Sequence, residues 1–164
     1  MIYLSLGTNI GNKEENLNVA IKEINRRIGT VVYQSAFITT EPWGFQSNNT
    51  FLNACVAVNT TLTPLQLLDR CQAIEKDMGR KQKSTTVSSP DGTLTPIYHD
   101  RVIDIDILIY DERIINSPRL TIPHPLMHKR RFVLEPLAQI DYNLKIPGTT
   151  ISAGEMLKAL DANE

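Results

Sequence analysis

Arg101-Val102-Ile103-Asp104-Ile105-Asp106-Ile107-Leu108-Ile109-Tyr110 alternates as a β-strand does. Ile103, Ile105, Ile107 and Ile109 fall on one face, which needs a hydrophobic layer. Val102, Asp104, Asp106 and Leu108 fall on the other. Residues two apart on one strand face stand close enough for their carboxylates to share a cation. Two bare carboxylates at that spacing repel, so a site must supply positive charge or raise one pKa. For an arbitrary D-x-D strand the ordinary reading is a half-buried strand with a solvated outer face. The surrounding chain decides between the two.

Working outward, Arg80 to Asp100 has no period and carries Pro90, Gly92 and Pro96. It reads as a mobile flap or a solvated insertion. Tyr110-Asp111-Glu112-Arg113 reads as a hairpin turn with Ile114 and Ile115 returning. Prolines extend Arg119 to Pro125, Leu126 to Glu135 reads as a helix ended by Pro136, and Ser152 to Leu160 as a terminal helix. At the amino end Met1 to Gly7 is a strand, and Gly7-Thr8-Asn9-Ile10-Gly11 a loop lacking the lysine of a Walker motif. Asn12 caps a helix with the stripe Leu17, Ala20, Ile21, Ile24, Ile28. Val31 to Ile38 and Phe51 to Thr60 are strands joined by a loop of about a dozen residues, holding Trp43 and Phe45. Thr63, Pro64 and Gln66 open a second helix that Gly79 stops.

The order is β-α-β-β-α-β with a helical tail, an α+β, ferredoxin-like sandwich. In that arrangement both main helices cover one face of an antiparallel sheet. The isoleucine row meets them, and Asp104 and Asp106 point to the other face, where the long loops and the C-terminal segment gather. The 164 residues read as a single domain, 1–164, with nearly balanced charge. Balance argues against a general nucleic-acid binder. No apolar run approaches the roughly 20 residues of a membrane helix. Cys55 and Cys71 sit in apolar patterns and read as buried free thiols, so a cytoplasmic chain is expected.

Balanced charge hides clusters. Arg80, Lys81 and Lys83 precede the acidic strand, and Lys129, Arg130 and Arg131 follow it, with Arg101 and Arg119 between. A basic run is usually a solvated face, but here cations bracket paired carboxylates, as a polyphosphate–metal site requires. Asn53 and Phe51 share a face of another strand, and Trp43, Tyr98 and Phe132 supply further rings. Rings with an amide suit a flat heterocycle with hydrogen-bonding edges. The combination suggests phosphoryl or pyrophosphoryl transfer to a heteroaromatic substrate.

Arg101-x-x-Asp104-Ile105-Asp106-Ile107-Leu108, followed by Arg119-Leu120-Thr121-Ile122-Pro123-His124, resembles the 6-hydroxymethyl-7,8-dihydropterin pyrophosphokinases of folate biosynthesis. Leu4-Ser5-Leu6-Gly7-Thr8-Asn9, Phe51-Leu52-Asn53-Ala54 and Glu75-x-x-x-Gly79-Arg80 match as well, over roughly residues 1 to 150. The resemblance implies pyrophosphate transfer from ATP to the pterin hydroxymethyl group, releasing AMP. It implies that Asp104 and Asp106 bind two Mg²⁺ ions, and that Arg80 and Arg101 serve catalysis. Gln72, Glu75, Lys83, Arg101, Ile107, Arg119, Thr121, His124 and Arg130 would line the ATP site. Thr40, Trp43, Phe51, Asn53 and Phe132 would hold the pterin. A monomer acting on these two small molecules is expected, with no nucleic-acid or membrane partner. The chain departs from the family pattern at Tyr98, Gln82 and Pro125, where a tryptophan, a second flap cation and an aromatic are common.

Two other classes use such a strand. A metal-dependent nucleotidyltransferase or nuclease would transfer the nucleotidyl group instead. A ferredoxin-like binding module would show no turnover and tolerate loss of both aspartates.

Overall fold

The computed structural model describes residues 1–40, 50–79, 85–88, 94–97 and 101–163. The elements in order are β1 (Ile2–Thr8), α1 (Lys13–Arg27), β2 (Thr30–Gln34), β3 (Ile38–Thr40), β4 (Phe51–Asn59), α2 (Pro64–Asp77), β5 (Thr85–Ser88) and β6 (Leu94–Ile97). Then follow β7 (Asp104–Tyr110), β8 (Ile115–Asn116), β9 (Thr121–Ile122), a 3₁₀ turn (Met127–Lys129), α3 (Arg131–Ile140) and α4 (Ala153–Ala162). The main sheet runs β2-β4-β1-β7, all antiparallel, and β3 extends it by pairing with β4. This is the ferredoxin-like α+β order expected from the sequence. β1 is central and buried along its whole length, which suits its uncharged, apolar sequence.

Ile2, Leu4 and Leu6 of β1 alternate with Ala54, Val56 and Val58 of β4 and Ile105 and Ile107 of β7 in one apolar layer. Leu17, Ala20 and Ile24 of α1 and Leu67, Cys71 and Ile74 of α2 close it. Both helices begin where the sequence signals. Asn12 Oδ1 accepts from the Glu15 amide at 3.1 Å, and Thr63 with Gln66 forms a reciprocal capping box. Gly79 ends α2's turn at φ +108°, a conformation costly for other residues.

The second face is divided. Tyr3, Cys55, Ala57, Leu108 and Ile109 are covered by Val133, Leu134 and Leu137 of α3 and Ala153 and Met156 of α4. The C-terminal helices thus close one half of this face and leave the other half, toward the end of β1, for other use. Burial holds the Cys55 thiol well above its ordinary pKa, so it stays protonated in this layer.

Four local expectations are corrected. Ile109 does not continue the isoleucine row. Tyr3 opposes Ile109 and Leu4 opposes Ile107, so Leu108 is the extra residue of a β-bulge, and Leu108 and Ile109 both join the second-face core. The run Val31 to Ile38 is two strands, because Ser35 interrupts it: its hydroxyl accepts from the Cys55 amide at 2.9 Å, in place of a ladder carbonyl. Pro136 lies inside α3 rather than ending it, since Val133, Leu134, Pro136 and Leu137 form one buried stripe. That burial outweighs the roughly 3 kcal/mol that an interior proline costs. Ile115 does not return along β7 but pairs with β9.

The segment before the acidic strand, read as aperiodic, contains an antiparallel ladder of β5 with β6. Pro96 sits in it opposite Thr86, which a two-stranded ribbon tolerates because each strand has a free edge. No helix among the described residues is long and apolar enough to cross a membrane.

Leu134 is fully buried between α3 and the sheet. Leu134→Ala is expected to lower the unfolding free energy by about 2–5 kcal/mol in urea titrations; an unchanged midpoint would mean that α3 contributes little to the fold.

Candidate functional site

The register of three strands builds the site. Directly opposed residues share a sheet face. Gly7 opposes Asn53 on β4 and Asp104 on β7, so Asn53, Gly7 and Asp104 form one row across the second face. Cys55, Ser5 and Asp106 form the next row. Asp104 and Asp106 therefore project beside β1 at the end that α3 and α4 leave uncovered, and both are half-buried.

Gly7 is the low point of the row. A Cβ there would lie 3.0 Å from Asn53 Oδ1 and 3.6 Å from Cδ1 of Phe51. The absent side chain lets the Asn53 amide and the Phe51 ring lie close over β1. Asn53 is almost fully buried, and its Nδ2 donates to Thr40 Oγ1 at 2.6 Å. That bond fixes which edge of the amide faces Gly7. Lys13, at the start of α1, donates to the Thr50 carbonyl at 2.9 Å and so anchors the chain as it enters β4 at Phe51.

Arg101 is buried, and its Nη1 lies 3.3 Å from Asp104 Oδ2. A buried guanidinium requires such a partner, and the pair puts a fixed positive charge beside the acids. Across the edge of β7 two groups satisfy the outward main chain. Glu75 of α2, buried, accepts from the Ile105 amide at 2.8 Å, and the His124 amide donates to the Leu108 carbonyl at 2.9 Å. His124 Nδ1 accepts from the Leu126 amide at 3.2 Å, which leaves the proton of the neutral ring on Nε2.

The expected ATP-site residues fall into distinct groups. Gln72 is exposed on α2, three residues before Glu75. Thr121 lies half-buried in β9, with His124 beyond it. Arg119 pairs with Asp69 at 2.7 Å, an exposed contact worth roughly 0.2–1 kcal/mol. Arg130 stands over Phe132, its guanidinium 5.7 Å from the ring centre. Ile107 points its side chain into the core against α1 and α2, so only its main chain can meet a ligand. Phe132, near the start of α3, packs against the second-face core. Arg80, Lys83, Trp43 and Tyr98 lie outside the described residues.

Gly7, Ser5 and Asn9 had no assigned role in the sequence reading. An isolated glycine near the end of an otherwise apolar strand is itself a signal of close backbone approach. Reading Gly7 to Gly11 only as a turn obscured it.

The model for the 7,8-dihydro-6-hydroxymethylpterin-pyrophosphokinase (HPPK) family matches residues 3–142. The chain belongs to this family. The 2-amino-4-hydroxy-6-hydroxymethyldihydropteridine pyrophosphokinase of Porphyromonas gingivalis is 43% identical over 85% of this chain and 90% of its own length. The enzyme of the same name from Methylorubrum extorquens is 40% identical, over 97% and 92%. Among solved structures, the HPPK-DHPS chain of Plasmodium falciparum with pteroate superposes with a TM-score of 0.77 at 15% identity, which shows a shared fold. Superposition covers 99% of this chain and 44% of that one, so the pyrophosphokinase chain spans less than half of the fused protein.

Glu75 ties α2 to the acidic strand. Glu75→Ala is expected to lower the unfolding free energy by about 1–3 kcal/mol and to speed exchange of the Ile105 amide. An exchange rate equal to wild type would remove this tie.

Proposed function

We propose that this chain transfers the β,γ-pyrophosphoryl group of ATP to the hydroxymethyl oxygen of 6-hydroxymethyl-7,8-dihydropterin. Its products are the pterin diphosphate and AMP. The reading rests above all on the Asn53–Gly7–Asp104 row, which sets a buried amide and a carboxylate on one sheet face with a glycine between them. Family membership supports the same reading.

In this reading the pterin lies over Gly7, its polar edge on Asn53, with Phe51, Phe132, Thr40 and Trp43 around it. Its hydroxymethyl group then points toward Asp104 and Asp106. Those two acids hold Mg²⁺, two ions with both substrates bound. Hard oxygen donors suit Mg²⁺, which typically takes one or two carboxylates and completes its shell with phosphate oxygens and water. The bound metal supplies charge neutralisation on the phosphates and a lowered pKa at the attacking hydroxyl.

ATP extends from the acids along the β7 edge, past Gln72, Glu75 and the Ile107 main chain, toward Thr121 and His124. Arg101 is pre-placed at the start of that path, and Arg119 and Arg130 supply further charge. Arg80 and Lys83, in the segment between α2 and β7, close over the phosphates and exclude water. The hydroxymethyl oxygen bonds to the β-phosphorus as the α–β bridging bond breaks, and its proton passes to solvent. AMP leaves in line. Little covalent work falls to side chains, so positioning and charge neutralisation carry the rate. The chain works as one domain and as a monomer in the cytoplasm, on these two small molecules alone.

Product analysis tests the assignment. With Mg²⁺, ATP and the pterin, stoichiometric AMP is expected, and released pyrophosphate would indicate nucleotidyl transfer instead. Asp106→Ala is expected to abolish turnover with the fold intact, and activity near wild type would dismiss the metal-anchor role. Phe132→Ala is expected to weaken pterin binding more than ATP binding in calorimetric titrations. Equal losses on both would refute ring stacking.

A further inference from the structure

The β1–β7 ladder ends at the pair Gly7–Asp104, yet β1's chain continues to grip the partner strand. The Asn9 amide donates to the Arg101 carbonyl at 3.2 Å, and the Arg101 amide donates to Asn9 Oδ1 at 2.7 Å. One residue thus satisfies both main-chain groups of Arg101, using its own backbone for one and its side chain for the other. Asn9 is fully buried, so these bonds are not shared with bulk water. The loop carrying it is itself fixed from α1, where Asn16 Nδ2 donates to Thr8 Oγ1 at 3.1 Å and to the Ile10 carbonyl at 2.9 Å.

We propose that Asn9 is a positioning residue: its clasp on the Arg101 main chain sets where the Arg101 guanidinium emerges beside Asp104. Glu75 and the ladder fix β7 from Asp104 onward, Ile103 is buried in the core, and the clasp adds a tie at Arg101 itself. Arginine's long side chain magnifies a small main-chain shift at its tip, and the Nη1–Asp104 contact depends on that tip. An asparagine suits the task because its short amide oxygen accepts at a fixed distance, as a backbone carbonyl would. A serine has a hydroxyl acceptor but cannot reach as far.

The inference rests on the proposed pyrophosphoryl transfer, and a double-mutant cycle separates the two. Wild type, Asn9→Ala, Arg101→Ala and the double variant are assayed for AMP release with Mg²⁺, ATP and the pterin. Asn9→Ala is expected to lower kcat by about 10- to 100-fold, the usual range for residues that orient a functional group, with KM for either substrate changed much less. In the Arg101→Ala background, removing Asn9 is expected to cost less than threefold more. Amide exchange at Arg101 is expected to accelerate while exchange at Ile105 stays at its wild-type rate.

Independent, multiplicative losses in the double variant would assign Asn9 to general stability and overturn the proposal. So would an Asn9→Ala enzyme with wild-type kcat, or an Arg101→Ala enzyme with wild-type kcat. If Asn9→Ala does not fold, Asn9→Ser carries the same cycle, and failure of both to fold would likewise make Asn9 a fold residue only. An inactive wild type would instead refute the underlying functional reading.

Discussion

The antiparallel register of β1 with its two neighbours is the constraint on which everything else depends. It sets Gly7 opposite both Asn53 and Asp104, and Ser5 opposite both Cys55 and Asp106. A slip of one residue on either side would turn the acids into the apolar layer and bring isoleucines to the open face. The fold resists that slip because the same register buries Ile2, Leu4, Leu6, Ile105 and Ile107 against α1 and α2. Core and site are therefore two faces of one pairing pattern. The acids keep their placement because the isoleucines that alternate with them are buried.

The second face is shared between the C-terminal helices and the polar rows. α3 and α4 cover the half of the face where β7 bulges and turns Leu108 and Ile109 inward. The bulge ends the strict alternation just past Asp106, so the polar rows and the apolar rows meet at a defined boundary. Phe132 and Arg130 stand at the start of α3, with the guanidinium over the ring. The start of a helix that completes the core thus also holds a guanidinium against a ring. Edge strand β7 is protected by Glu75 and by the His124 segment, which lie along the proposed nucleotide path.

Much of this was legible in the sequence because it depends on period and caps. The alternation from Ile103 to Ile107 gave the acids a common face, and the capping signals at Asn12 and Thr63 located two helices. The element order then named the open face. What escaped depends on geometry between distant residues. The bulge at Leu108 arises from pairing with Tyr3 and Leu4, and leaves no mark on local periodicity. Pro136 inside α3 reads locally as a stop, and only burial overrides it. Ser35 mimics a ladder group, which a propensity reading of Val31 to Ile38 cannot register. Gly7 and Asn9 look like turn formers until β4 and β7 are set beside them. Ile107 was named by resemblance as a nucleotide contact, and the burial of its side chain, set by the pairing with β1, leaves only its main chain available.

The account's central claim is that the metal and the phosphates sit directly above the β1–β7 pairing. Replacing Mg²⁺ by paramagnetic Mn²⁺, with a non-hydrolysable ATP analogue and the pterin bound, tests it by NMR. Ser5 and Gly7 lie opposite Asp106 and Asp104, so their amide signals are predicted to broaden most strongly, and to sharpen again in Asp104→Asn and Asp106→Asn. Sharp Ser5 and Gly7 signals in the metal-loaded wild-type complex would contradict the account.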